Sequence, residues 1–240
     1  MALPAKWAQF PIRTVRSYPR RRALDRRAVR GVDRIVAISE NVRGRVRRAY
    51  GRDADVIYPP VATSRFRFRE LGDAWLSVNR LYPEKRIDLQ VEVFRRLPQE
   101  KLVIVGGYTK GDRTESYVSS LRPPPNVSLV GEVPEAALAD LYGRCRGFLT
   151  TAVDEDFGIT PVEAMAAGKV VLATDEGGYR ETVVPGRTGF LLPPDPEAFA
   201  RTIRELDESS LLSMRDACVA RAREFDETIF VARMRDAIGA

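Results

Sequence analysis

Two glutamates with seven residues between them, Glu155 and Glu163, have the types and spacing in this chain best suited to gripping a polar ligand. They lie in the run TAVDEDFGITPVEAMAAG, residues 151–168. An acidic turn at 154–156 is followed by Thr160 and Pro161, which predict a helix with Thr160 as N-cap, Pro161 at its first position and Gly168 as its stop. The first backbone N–H groups of such a helix, at residues 159–163, have no partner within it. They suit phosphate or sugar oxygens. Glu163 also admits a purely structural role, because Thr160-x-x-Glu163 is a capping box in which the carboxylate merely returns a hydrogen bond to the cap. Asp154 and Asp156 form an Asp-x-Asp after a strand, a pattern able to hold a divalent cation, although the helix and second glutamate downstream speak against that use.

The chain contains no histidine. That excludes a Ser-His-Asp triad, a Cys-His pair, an HExxH metal site and a histidine base. Chemistry must rest on carboxylates, arginine, lysine and backbone dipoles. Cys145 and Cys218 are far apart, have no metal-ligand spacing and suit a reducing compartment. The net charge is +6, carried almost wholly by arginine, since the lysines are Lys6, Lys85, Lys101, Lys110 and Lys169. Arginine favours a bidentate grip on phosphate. Arg20, Arg21, Arg22, Arg26, Arg27 and Arg30 crowd one predicted helix over 20–30, with Leu24, Ala28 and Val29 on its apolar side. Such a helix is either a solvated face or a contact for an anionic membrane surface or lipid phosphate. It lacks interleaved aromatics and any recognition motif, so no nucleic-acid partner is expected. Gly106, Gly107 and Gly111 miss the G-x-G-x-x-G spacing of a dinucleotide fingerprint.

The elements that must position these residues alternate. At 44% apolar residues the 240-residue chain can bury a proper core, and no apolar run is long enough to cross a bilayer. Met1–Phe10 is too short and too interrupted for a signal peptide. Strands are expected near 33–38, 55–58, 75–78, 102–105, 127–130, 148–151, 169–173 and 190–191. Helices are expected from Ser39 as N-cap to Tyr50, and at 87–97, 116–121, 135–142, 161–167, 198–206, 210–223 and 227–238. Short buried strands between helices imply βαβ units: an α/β fold with a Rossmann-like parallel sheet and helices on both faces. The opening 58 residues cannot bury a core alone and read as the tail of another domain.

Residues 155–173, EDFGITPVEAMAAGKVVLA, are similar throughout to glycosyltransferase family 4, of the GT-B fold, whose signature is a Glu-x7-Glu pair. Other segments agree in order. Residues 78–88, VNRLYPEKRID, resemble the family's phosphate-gripping loop, with Asn79 where a smaller residue is commoner. Residues 103–107, VIVGG, and 126–133, NVSLVGEV, resemble its next two strand ends. GGYRET at 177–182 and GRTGFL at 186–191 resemble its closing motifs. IYPPV at 57–61 resembles the interdomain crossing of mannosyltransferase-like members. The resemblance spans roughly residues 20–240.

The resemblance implies that Arg80 and Lys85 neutralise a donor diphosphate and that Glu163 hydrogen-bonds the ribose. Glu155, with the backbone of Phe157, Gly158, Ile159 and Thr160, would hold the sugar. Gly107, Gly131 and Val133 would meet the nucleotide. Transfer would be retaining: the glycosidic bond breaks first, and the departing phosphate deprotonates the acceptor on the same face. Neither metal nor cofactor is implied, the nucleotide sugar being a co-substrate, with GDP-mannose expected by resemblance. The partner would be a glycan or lipid-linked acceptor, and the location cytoplasmic, at the inner membrane face. Residues 1–58 would be a remnant of the acceptor domain, 59–225 the donor domain and 226–240 a helix returning toward the absent domain. A split enzyme or a donor-binding module without turnover remains the alternative, since the family's glycine-rich acceptor loop and its histidine are absent. Exposed apolar surface should make the chain self-associate.

Overall fold

The computed structural model describes residues 12–108 and 113–239; Met1–Phe10 and Gly111 lie outside them. The chain opens with α1 (Ile12–Arg30), β1 (Val36–Ala37), α2 (Glu40–Tyr50) and β2 (Asp55–Val56). β1 and β2 pair in parallel as a sheet of their own. The start of α2 was legible: Ser39 caps it, its Oγ accepting from Val42 N at 3.0 Å, and Gly51 ends it at φ 67. α1 is longer than expected, and Leu24 on its anticipated apolar side is 67% exposed.

The main body follows as β3 (Ala74–Val78), α3 (Ile87–Arg95), β4 (Lys101–Val105), α4 (Arg113–Ser120), β5 (Val127–Gly131), α5 (Glu135–Arg144) and β6 (Phe148–Thr150). Then come α6 (Ile159–Ala166), β7 (Val171–Thr174), α7 (Tyr179–Thr182), β8 (Gly189–Leu192) and α8 (Pro196–Glu205). The chain ends with α9 (Glu208–Ser213), α10 (Arg215–Arg223) and α11 (Glu227–Ile238). Six strands form one parallel sheet in the order β5-β4-β3-β6-β7-β8, with helices on both faces. Every residue of β6 and β7 is buried, as strands covered on both sides must be. Trp75, Phe94, Ile104, Phe148, Leu172 and Phe199 centre the core.

Sequence order reverses between β3 and β6, where Leu76 pairs with Phe148. The loops leaving the C-terminal ends of these two strands therefore diverge and leave a crevice, the usual ligand position in a doubly wound sheet. The β3 loop carries Arg80 and Lys85; the β6 loop carries Glu155.

Other helices also differ from the sequence reading. The stretch 210–223 is two helices broken at Met214, with Asp207 capping the first through Ser210 N. Residues 179–182, read only as part of a motif, form the short helix α7.

Candidate functional site

Gly106 lets β4 press against the end of β3: at φ 140 its missing Cβ would stand 1.7 Å from the Asn79 carbonyl oxygen. Leu81 N donates to Gly107 O at 3.0 Å, which fixes where the loop departs. Arg80 emerges exposed, its guanidinium carbon 5.3 Å from the centre of the Tyr82 ring, and forms no ion pair among the described residues. A tight turn at Pro83–Lys85 then folds onto β6. Thr151 Oγ1 donates to Lys85 O at 2.8 Å and itself accepts from the buried Gln90 amide at 2.9 Å. So anchored, Lys85 Nζ donates to Glu155 Oε2 at 2.5 Å, both side chains mostly covered.

The β6 loop is seated by aromatic rings. Phe157 is buried and its ring packs 5.4 Å from Tyr58 and 5.3 Å from Phe225, which are themselves 5.2 Å apart. Gly177 and Gly178 close the loop from behind, Gly178 N donating to Glu155 O at 2.7 Å. Tyr179 Oη lies 2.6 Å from Thr150 Oγ1 and 3.5 Å from Glu155 Oε2.

The helix after this loop starts earlier than expected. Gly158, at φ 92, is the N-cap and α6 begins at Ile159, so Thr160 is a first-turn residue and caps nothing. Only glycine turns easily at that φ, so the chain enters the helix two residues sooner, and Pro161 is still tolerated in its first turn. The capping box is absent as well. Glu163 Oε2 instead accepts from the buried Tyr142 hydroxyl at 2.7 Å. Burial raises the Glu163 carboxyl above its ordinary value, the Tyr142 bond pulling the other way, and burial beside Glu163 raises Tyr142 well above its own. A desolvated carboxylate holding one tyrosine is available to a ligand hydroxyl in a way that a helix-capping one is not.

A cleft of about 340 Å³ brings together Arg80, Lys85, Glu155, Phe157, Gly158, Ile159 and Thr160, with Ile38, Pro59, Val78, Asn79 and Asp156 completing its wall. Glu163, Gly107, Gly131 and Val133 are not in its lining. Glu163 is one turn further along α6; Gly107, Gly131 and Val133 follow the ends of β4 and β5. A Cβ on Gly107 would fall 2.6 Å from Glu132 Oε1, whereas Gly131, at φ 73, faces open space. A larger hollow of about 490 Å³ lies at the opposite end of α6, beside Ala166, and shares no residue with the cleft.

One support of the cleft was not foreseen at all. α2 docks its first turns on the acidic loop: Ser39 Oγ donates to Asp156 O at 2.5 Å, and Asn41 Nδ2 to Glu155 O at 3.1 Å and Asp154 Oδ1 at 3.2 Å. Arg45 bridges both aspartates, 3.0 Å from Asp154 Oδ1 and in a short contact with Asp156 Oδ1. Thus the Asp-x-Asp pair is engaged by a guanidinium. The Glu181 carboxylate accepts from the free N–H groups of Glu40 and Asn41 at 2.7 and 2.8 Å, so α7 holds the N-terminus of α2.

The sequence matches the glycosyl transferases group 1 family over residues 66–225. The chain belongs to that family. It is 29% identical to an alpha-1,3/1,6-mannosyltransferase of Neurospora crassa over 200 residues, 68% of this chain and 42% of the relative. With the human GDP-Man:Man(3)GlcNAc(2)-PP-Dol alpha-1,2-mannosyltransferase it shares 30% over 210 residues, 75% of this chain and 42% of that protein. The chain therefore spans less than half the length of these relatives. Sucrose-phosphate synthase from Thermosynechococcus elongatus superimposes with a TM-score of 0.83 at 21% identity, covering 98% of this chain and 63% of the synthase, a likeness of fold. With the family established, the sheet is that of a GT-B glycosyltransferase.

Residue spacing could not have found Tyr142, Tyr179, Asn41 or Arg45, each of which reaches its glutamate or loop across 21 or more residues. The double glycine before Tyr179 was the one local signal, marking backbone packed too tightly for a side chain. No helix among the described residues is long and apolar enough to cross a membrane.

Proposed function

We propose that this chain binds a nucleoside-diphosphate sugar at the β3–β6 crevice and supplies the donor half of a retaining, metal-independent hexosyltransferase. The donor is GDP-mannose and the acceptor a glycolipid or polysaccharide. The observation that carries the reading is the convergence of Arg80, Lys85, Glu155 and the uncapped N-terminus of α6 on one cleft. Two cations and a helix dipole suit a leaving diphosphate, whose charge grows as the glycosidic bond lengthens. Glu155 and the N–H groups at 159–160 face the sugar, and Glu163 takes the ribose. Sugar C1 departs from the diphosphate with oxocarbenium character; the acceptor hydroxyl then adds on the same face and gives its proton to the released phosphate oxygen. Mannose is favoured because the fungal and human relatives are named for mannosyl transfer, the latter from GDP-Man.

In this reading residues 1–58 belong to an acceptor domain, 59–225 to the donor domain and 226–240 to a helix that returns to the former. A donor-binding module that needs a separate partner half is the second reading.

Calorimetric titration with GDP-mannose, UDP-glucose, GDP and UDP tests the proposal. GDP-mannose should bind with an affinity unchanged by EDTA, and Glu163→Ala should weaken it about tenfold, the loss of one or two hydrogen bonds to a charged acceptor. Absence of binding by every ligand would overturn it, and tighter binding of the UDP pair would overturn the donor assignment.

A further inference from the structure

We propose that α2 braces the donor site from outside the cleft, with Asn41 and Arg45 as positioning residues that hold the 154–156 turn so that Glu155 meets the sugar. The inference rests on the donor-site reading above and adds residues that belong to neither the β3 loop nor the β6 loop.

Three observations carry it. First, α2 buries no residue, so hydrophobic docking does not explain its position. Its contacts with the turn are polar and fall on three consecutive residues: Asn41 on Asp154 and Glu155, Arg45 on Asp154 and Asp156, Ser39 on Asp156. Arg45 reaches the backbone too, donating to Asp154 O at 2.9 Å. Second, Asp154 lies at φ 50, a left-handed conformation that a residue with a Cβ adopts only when its surroundings enforce it. The amide of Asn41 and the fork of Arg45 supply that enforcement.

Third, three successive carboxylates repel one another. Arg45 offsets Asp154 and Asp156, while Lys85 offsets Glu155. A bound diphosphate competes for Lys85, which leaves Arg45, with Asn41 and Ser39, to keep the turn folded toward the ligand. Glu181 completes the arrangement by fixing the N-terminus of α2 to α7, the helix that also carries Tyr179 against Glu155. The turn is gripped from two sides, and its aim depends on both.

The test uses substitutions that leave the charge unchanged, so that positioning is read apart from electrostatics. Asn41→Ala removes the amide; Arg45→Lys keeps the cation and loses the fork. For each, the affinity for GDP-mannose is compared with that for free GDP, and UDP-glucose with UDP. The expected result is that the advantage of the nucleotide sugar over its free nucleotide falls about fivefold, with free-nucleotide affinity essentially unchanged. Arg43→Lys, on the same helix but pairing with Glu40 and Asp53, should leave the advantage intact. An unchanged advantage in both variants, or equal weakening of both ligands, would overturn the inference. So would a wild-type chain with no advantage to lose.

A wild-type chain that binds no nucleotide would instead overturn the donor-site reading. The positioning claim then stands on hydrogen exchange without ligand: Asn41→Ala should speed exchange across residues 153–158 and leave β7 protected. Unchanged exchange there would sink it.

Discussion

Burial lifts the Glu163 carboxyl above its ordinary 4.5, against the pull of the Tyr142 hydroxyl and the Arg65 charge, so the fold holds this proton more tightly than the unfolded chain does. The sign of the consequence follows from linkage. The stability that Glu163 contributes is fully present below pH 4.5 and is lost as pH rises through its higher folded value. Above that folded value the protein carries a desolvated negative charge that accepts from the Tyr142 hydroxyl. Glu163→Gln keeps an acceptor for Tyr142 and removes that charge. Its melting temperature should exceed wild type by roughly 2–4 °C at pH 8, if relief amounts to about 1 kcal/mol, and match wild type at pH 4. The same variant should bind nucleotide more weakly. Equal melting at both pH values would show that Glu163 carries no such cost. A residue that destabilises the empty protein while serving a ligand is what a binding role leads one to expect.

At the scale of elements, the backbone behind the acidic turn is more demanding than its glycine content suggests. Gly177 and Gly186 both have positive φ, 55 and 72, yet they differ in what surrounds them. A Cβ on Gly177 would lie 2.4 Å from Glu155 O, whereas one on Gly186 would meet nothing within 4 Å. Gly186→Ala should cost about 1 kcal/mol, the left-handed penalty alone. Gly177→Ala should cost clearly more, because backbone must move, and should loosen the turn that carries Glu155. Urea unfolding of the two variants checks the difference; equal midpoints would mean the turn yields freely. This contrast also marks what could be read from sequence. The strands were legible because runs such as Leu102–Val105 and Val127–Val130 are apolar, short and bounded by turn residues. The cap of α2 was legible because Ser39 acts within four residues of itself. The cap of α6 was not, because Thr160-Pro161 imitates a start signal that the freedom of Gly158 at φ 92 overrides. In the same way the candidate site was half legible. Arg80, Lys85 and Glu155 stand in local motifs, while Arg45 and Tyr142 act on residues distant in sequence and leave no periodic trace.

Across the whole molecule, the two ends are fastened to the body chiefly by polar contacts and keep apolar side chains outward. α11 buries none of its residues; Ile229, Val231 and Ile238 are exposed, the last at 70%. Arg34, just before β1, donates to Ala237 O at 2.5 Å, which brings α11 beside Val32 and Val36, also exposed. Self-association in size-exclusion chromatography is the expected behaviour, reduced by Val231→Glu with Ile238→Glu. A monodisperse wild-type monomer would count against it. Phe225, lastly, follows every strand of the sheet in sequence and completes the ring stack that seats Phe157. During synthesis all six strands of the sheet are therefore made before it, and the loop that carries Glu155 gains its aromatic seat only after the last of them has emerged.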